Sequence, residues 1–348
     1  MTVSTAPALN TLSWDLDAYV VDIALAGDGK LFAVALGDGT VRLLSGEDTG
    51  PRTVQAHNGA CLCLATDIDG QSFLTGGDDG KLTRTDKTGT TETIAEAKGK
   101  WIEHVAAHGG SGYRAYAVGK DVFVTERKGR GEPRRLTHAT TVNGLAINDK
   151  GRRMAVAHYN GVSLWWLASQ DSQAQALEWK GSHLSVAFSP DGDYVITTLQ
   201  ENALHGWRLS DKQHMRMSGY GAKVRSMSFN RKGQILATGG ADTIVCWPFT
   251  GGGPMGKAPS EFGGGVAGPG AGSIVTAVRC HPKLDLIAAG FDNGAVILGQ
   301  PGMLRTVTVV PGGGAPITAL CWNARGDRLL AGDEAGRLVL GDFQGLSS

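Results

Sequence analysis

The chain has no excess of either charge: over 348 residues, Lys and Arg total 33 and Asp and Glu total 33. Nucleic-acid binding led by phosphate contacts needs a basic face, so no nucleic-acid partner is expected. Cysteine is scarce. Cys61, Cys63, Cys246, Cys280 and Cys321 are odd in number and contain no CxxC pair, which speaks against both a disulfide framework and a thiolate metal site. Cys61 and Cys63 are expected to share one face of a strand, roughly 6.5–7 Å apart at ~3.3 Å per residue, too far for an unstrained bridge. Buried, reduced thiols in a reducing compartment follow. No apolar run reaches the roughly 18 residues of a helical membrane span, so no membrane partner is expected. The opening MTVSTAPALN carries neither the basic nor the apolar stretch of a secretory leader, and a cytoplasmic location is expected. Helical periodicity is missing as well, because apolar residues alternate instead of recurring every three to four positions.

What the chain has in abundance is glycine. Its 52 glycines are roughly twice the usual share, as many tight turns require. The stretch from Lys223 to Phe249, KVRSMSFNRKGQILATGGADTIVCWPF, shows where they go. Val224, Ser226 and Ser228 alternate with Arg225, Met227 and Phe229 in a strand-like period of two. Arg231-Lys232-Gly233 turns the chain, Ile235–Thr238 forms a short apolar strand, and Gly239–Asp242 turns it again. Thr243–Phe249 then makes a third strand carrying Trp247. Comparable units span Tyr19–Leu44, Ala60–Asp86, Trp101–Thr125, Thr141–Trp166, His183–Trp207, Ile274–Gly299 and Pro316–Asp342, eight in all. The first-turn glycines Gly29, Gly70, Gly151, Gly192 and Gly233 fall 41, 81, 41 and 41 residues apart. A period near 41 fits the ~40–45 residues of a four-stranded propeller blade.

Over nearly its whole length the sequence resembles the WD40 repeat family. Ser185-Val186-Ala187-Phe188-Ser189-Pro190-Asp191-Gly192 is close to that family's first strand and turn, and Thr238-Gly239-Gly240-Ala241-Asp242 with Trp247 resembles its second half. The signature Trp–Asp pair is missing: Trp166, Arg208 and Pro248 follow Trp165, Trp207 and Trp247. The family's buried Asp–His–Ser/Thr–Trp set is nowhere complete, with Tyr220 standing where repeat six should have His. The expectation is therefore a divergent, compact, bacterial-looking member, all-β, with one propeller over residues 10–346. Eight four-stranded antiparallel blades are expected, with seven as the alternative should repeat three prove irregular. Residues 1–9 are expected to be loose, and the isolated strand Leu12–Leu16 should supply the outer strand of the last blade. That pairing would remove an exposed edge.

Gly251–Ala258 nearly spells a phosphate-binding loop, but Ala258 lacks the hydroxyl for Mg²⁺ and Pro259 blocks the helix that should follow. Residues 250–273 form a Gly/Pro-rich insertion between blades six and seven; its first half, with Met255, Lys257 and Phe262, could dock a partner, and Gly263–Gly272 looks like linker. Asp22, Cys63 and His104 are spaced like equivalent inner-strand positions, yet neighbouring strands ~10 Å apart cannot bring three side chains onto one ion. No nucleophile–base motif appears, so no enzyme, cofactor or metal is expected. The resemblance places one set of loops on a common rim. The residues expected to contact a partner are His158, Tyr159, Asn160, His183, Tyr220, Lys223, Phe291, Asp292, Met255 and Lys257. The function expected is a non-catalytic, monomeric scaffold that binds a protein or peptide through one rim face. The alternative is a small-ligand, metal-handling or enzymatic propeller that uses its central channel.

Overall fold

The computed structural model describes residues 8–45, 49–126, 131–264, 272–303 and 305–344. Among these the structure is all strand and turn. The strands form seven antiparallel sheets, six with four strands and one with six. The second repeat shows the plan: Cys61–Thr66, Phe73–Gly77, Lys81–Thr85 and Thr91–Glu96 pair in chain order. Burial peaks in the second strand. All five residues of Phe73–Gly77 and all six of Tyr194–Leu199 are buried, whereas the fourth strand Thr91–Glu96 is largely exposed. A strand covered on both faces cannot afford polar alternation, which is why these segments read as short continuous apolar runs.

The turns behave as the glycine spacing predicts. Gly29, Gly70, Gly151, Gly192, Gly233 and Gly326 all have φ between 63° and 81°, the left-handed region that costs glycine nothing. In three repeats a buried asparagine closes the same turn. The Asn148 Oδ1 accepts the amides of Arg152 and Arg153, and Asn230 and Asn323 act likewise on Gln234 and Ile235, and on Gly326 and Arg328. A second device recurs at the start of the inner strand: the register slips between Cys61/Cys63, Val142/Gly144, His183/Ser185, Val275/Ala277 and Ile317/Ala319. These bulges place an extra residue and re-aim the side chains on either side.

Two compact units are distinguished, residues 26–224 and the remainder. The first holds Leu31–Leu36, Thr40–Ser45 and Arg52–Gln55, then the sheets of repeats two and three, then the six-stranded sheet. Repeat three is regular, with His104–His108, Tyr113–Val118, Asp121–Thr125 and Arg134–Thr137 paired in order. The expected eight blades are nevertheless seven, because repeats four and five share one sheet. Arg153–Trp166 pairs with Val142–Ile147 through its first half and with Gln175–Phe188 through its second. It folds back at Asn160-Gly161, where φ is 68° and 141°, so that the Leu167 amide donates to the Arg152 carbonyl at 2.8 Å. Gln175–Phe188 pairs with Arg153–Trp166 as far as Tyr159↔Ser182, with a register shift that skips residues 179–181, and with Tyr194–Leu199 from His183↔Leu199 on, so one strand joins both repeats in a single sheet.

The other unit contains the sheets of repeats six, seven and eight and the strand Val20–Leu25, whose Val20 carbonyl accepts from the Thr318 hydroxyl at 2.7 Å. The sheet of repeat six takes its fourth strand, Ser260–Phe262, from the expected insertion, and Phe262 is buried against Ile244, Cys246 and Ile297. Of the expected linker Gly263–Gly272, residues 265–271 lie outside those described. The last sheet ends as the strand count requires: Ala8–Asp15 pairs antiparallel with Arg337–Gln344 over eight residue pairs. Strand therefore begins at Ala8, before the expected Leu12; residues 1–7 lie outside those described. Leu9 packs on the core that contains Val309, Trp322 and Phe343.

Deleting the chain through Asp15 strips the last sheet of this strand and bares the edge Arg337–Gln344. The expected outcome is a lower unfolding midpoint in calorimetry together with concentration-dependent association in light scattering; an unchanged midpoint would show that the terminal strand is dispensable.

Candidate functional site

The expected contact residues divide by burial. Tyr159 is 48% exposed at the fold-back of Arg153–Trp166, its amide held by the Thr140 hydroxyl at 3.1 Å. Asn160 beside it is exposed, and its Oδ1 accepts the Gly181 amide. His158 is half-buried. One ring nitrogen meets the Tyr159 carbonyl and the other the Ser163 hydroxyl, both at 2.9 Å, and the ring lies 5.7 Å from that of His138. His138 is buried and receives the Trp165 indole N–H at 3.1 Å; burial pushes its pKa down, opposed by the Lys120 carbonyl. Lys223 and Asp292 are exposed, and Asp292 accepts the Ile274 amide. Lys257 turns inward on its own loop to the carbonyls of Thr250 and Gly251, beside half-buried Met255.

Three of the expected contact residues are core residues instead. Phe291 ends the second strand of its sheet and packs among Val275, Val278 and Ile297. Tyr220 is 9% exposed. His183 is fully buried, its ring bridging the Thr197 hydroxyl at 2.8 Å and the Trp179 carbonyl at 2.9 Å, and burial lowers its pKa. A histidine holding two buried groups in this way is spent on structure and unavailable to a partner.

The same bridging explains a residue that the repeat boundaries passed over. His57 precedes the expected start of repeat two, yet its ring joins the buried Thr75 hydroxyl at 2.8 Å to the Asp79 carboxylate at 3.0 Å. Burial alone would raise the pKa of Asp79, but the Lys81 amide, His57 and the Asn58 amide outweigh it and lower the pKa. The offsets of 18 and 4 residues from His57 to Thr75 to Asp79 are the signal that would have found it.

The spaced trio does not converge. The Cys63 thiol faces the Ile102 carbonyl and the Cys61 thiol the Thr40 carbonyl, because the bulge between them turns the two to opposite sides. They do not share a face as expected. His104 is engaged with the Val142 backbone, and burial pushes its pKa down to about 4. Among the described residues no group of three His, Cys, Asp or Glu is placed to hold a metal ion. None of the five thiols is in a disulfide, and burial drives Cys61 and Cys246 up to about 12, far from thiolate reactivity.

A cleft of about 940 Å³ lies beside Arg84 and Arg114. These guanidiniums are already committed: Arg114 forks onto both oxygens of fully buried Asp67 at 2.6 and 2.7 Å, and Arg84 reaches Asp67, Asp69 and Ser72. More perturbed is His205, fully buried, with neither ring nitrogen hydrogen-bonded among the described residues. It stacks on Trp179 at 3.9 Å and lies beside His214. Burial, reinforced by His214, His183 and Arg216, lowers its pKa to about 3.

Two predictions follow from these placements. Phe291→Ala should destabilise the fold by about 3–5 kcal/mol in chemical denaturation, whereas Tyr159→Ala should leave stability within about 0.5 kcal/mol. For His205, the folded state binds fewer protons than the unfolded one between pH about 3 and its ordinary value of 6.5, so stability falls as pH drops through that window. His205→Leu should therefore be more stable than the parent, with a gap that widens as pH is lowered from neutrality; a pH-independent difference would assign the effect to packing instead.

Comparison with known proteins follows the geometry. Residues 50–83 and 211–247 match the family model described as WD domain, G-beta repeat. No curated protein matches the chain in sequence. The crystal structure of the computationally designed Ika8 protein superposes with a TM-score of 0.73 at 16% identity, covering 94% of this chain and 98% of that one, a likeness of fold alone. Two matched repeat windows and the observed four-stranded antiparallel blades together support a WD40-repeat β-propeller.

Proposed function

We propose that the protein is a non-catalytic scaffold that holds a protein or peptide partner against the loops of residues 26–224. WD40 propellers are commonly protein-interaction scaffolds, and this is the coarse frame for the reading. The observation that carries it is Tyr159. A large aromatic side chain stands half in water on a backbone fixed by Thr140 and by the turn at Asn160-Gly161. An aromatic held rigid before binding loses little entropy on contact, which is why Tyr and Trp dominate interface energetics. Trp101, 58% exposed on the loop leading into His104–His108, is a second such anchor in the same unit. His158, Asn160 and Lys223 supply polar contacts around them. Asp292, Met255 and Lys257, in the other unit, belong to the reading only as secondary contacts.

A reducing, cytoplasmic setting for a monomer is part of the same proposal, supported by five cysteines that form no disulfide. Among the described residues no helix is long and apolar enough to cross a membrane. The histidines near Tyr159 have their ring nitrogens engaged by Ser163, Trp165 and backbone carbonyls, which leaves no poised base and supports binding over chemistry.

The test is quantitative capture from native extract on the parent protein and on a Tyr159→Ala, Trp101→Ala double variant. Retention of a specific partner should fall roughly tenfold or more in the variant, about 1.4 kcal/mol or more, with circular dichroism and unfolding midpoint unchanged. Equal retention on both baits would move the interface elsewhere, and no retention on either would end the scaffold reading.

A further inference from the structure

A polar cleft of about 310 Å³ lies wholly within the unit formed by the two ends of the chain. Its walls are inner strands: Val20–Leu25, Val275–Cys280 and Ile317–Trp322, with the segment from Arg225 to Met227. Two threonines in these walls are spent on holding strands together. The Thr318 hydroxyl donates to the Val20 carbonyl at 2.7 Å, and the Thr276 hydroxyl to the Ile317 carbonyl at 2.6 Å. The walls are thus fixed before any ligand arrives.

The side chains left to act are Tyr19, Asp22, Arg225, Arg279 and Glu334. Arg279 is anchored by its Nε, which donates to the Leu320 carbonyl at 3.0 Å. Among the described residues no hydrogen bond or ion pair takes up its two terminal nitrogens, nor any donor of Arg225. This contrasts with Arg84 and Arg114, whose donors are committed to Asp67 and Asp69. Two guanidiniums with unspent planar donors in one cleft are suited to a carboxylate. Yet the cleft is not simply cationic. Asp22 faces Arg279, and Glu334 lies near Tyr19 and Arg225, so the formal charges cancel. Burial also raises the pKa of Asp22, against the pull of Arg279, which marks its carboxyl as held partly away from water.

A site that carries both signs and no net charge discriminates by pattern. A lone carboxylate gains from the arginines and loses against the acids; a lone ammonium does the reverse. A molecule that carries both groups gains twice. We propose that this cleft binds a small amino carboxylate, its carboxylate on Arg225 and Arg279 and its ammonium on Asp22 and Glu334. Tyr19, 43% exposed, lines the same cleft and adds an aromatic side chain of the kind that attracts an ammonium. The volume sits at the small end of ligand pockets, which limits the occupant to a compact molecule. This site is separate from the Tyr159 surface and goes beyond the scaffold reading.

Isothermal titration calorimetry on the intact chain tests it with a series of increasing charge separation: glycine, β-alanine and γ-aminobutyrate. Butyrate and butylammonium serve as singly charged controls. At least one amino carboxylate should bind, with both controls roughly tenfold weaker or more. Arg279→Gln and Arg225→Gln should each weaken that ligand by about tenfold. Arg225 is solvent-exposed, so its variant separates loss of binding from loss of fold. The proposal is overturned if no member of the series binds up to millimolar concentration, if butyrate binds as tightly as the amino carboxylates, or if both arginine variants bind like the parent.

Discussion

How closely one sheet can lie on the next is the constraint on which the rest of this structure depends. A Cβ added at Gly76 would fall 2.3 Å from the Ile102 carbonyl, and one at Gly332 would fall 2.5 Å from the Val20 side chain. At both places the end of a second strand is pressed against the chain entering the neighbouring sheet, and only a residue without a side chain fits. The fully buried alanines Ala33, Ala35, Ala155, Ala157, Ala288 and Ala289 continue the same close approach along the second strands. Small residues in the middle of each sheet set the spacing, and larger ones such as Phe32, Phe73 and Met154 fill what remains.

Such close packing leaves buried polar groups that must be satisfied in place, and histidine does so repeatedly. His57 joins Thr75 to Asp79, His138 takes the Trp165 indole proton, and His183 joins Thr197 to the Trp179 carbonyl. Asp67, gripped by Arg114 and Arg84, is the charged version: its carboxylate is fully out of water, and losing both guanidiniums would leave an uncompensated charge. His205 is an exception: among the described residues its two ring nitrogens have no hydrogen-bond partner, a destabilisation opposed by the stack on Trp179.

A rigid body of this kind suits recognition. Tyr159 and Trp101 stand in water on loops whose backbones are already fixed, while the cleft at Asp22 and Arg279 is walled by strands tied together through Thr276 and Thr318. The two surfaces differ in chemistry. One offers aromatic area to a macromolecule, and the other offers paired charges to something small.

Much of this was legible in the sequence. The glycine period set the repeat, the alternation marked strands, and the strand count required the segment at Leu12–Leu16 to complete the last sheet, because all three depend on neighbours along the chain or on a simple count of edges; the strand found, Ala8–Asp15, begins earlier. The site was less legible. Tyr159 and Phe291 look equivalent in one dimension, both aromatic and both next to a turn, yet one projects into water and the other is core. Cys61 and Cys63 share a face by period and face opposite ways in space, because one bulge re-aims everything beyond it. Repeats four and five read as two blades and fold as one sheet, because one strand, Gln175–Phe188, pairs with Arg153–Trp166 on one part and Tyr194–Leu199 on the other. The meeting of Asp22, Arg225, Arg279 and Glu334 left no trace in the chain at all: they come from four different repeats, and charge, unlike period, acts across space and not along the sequence.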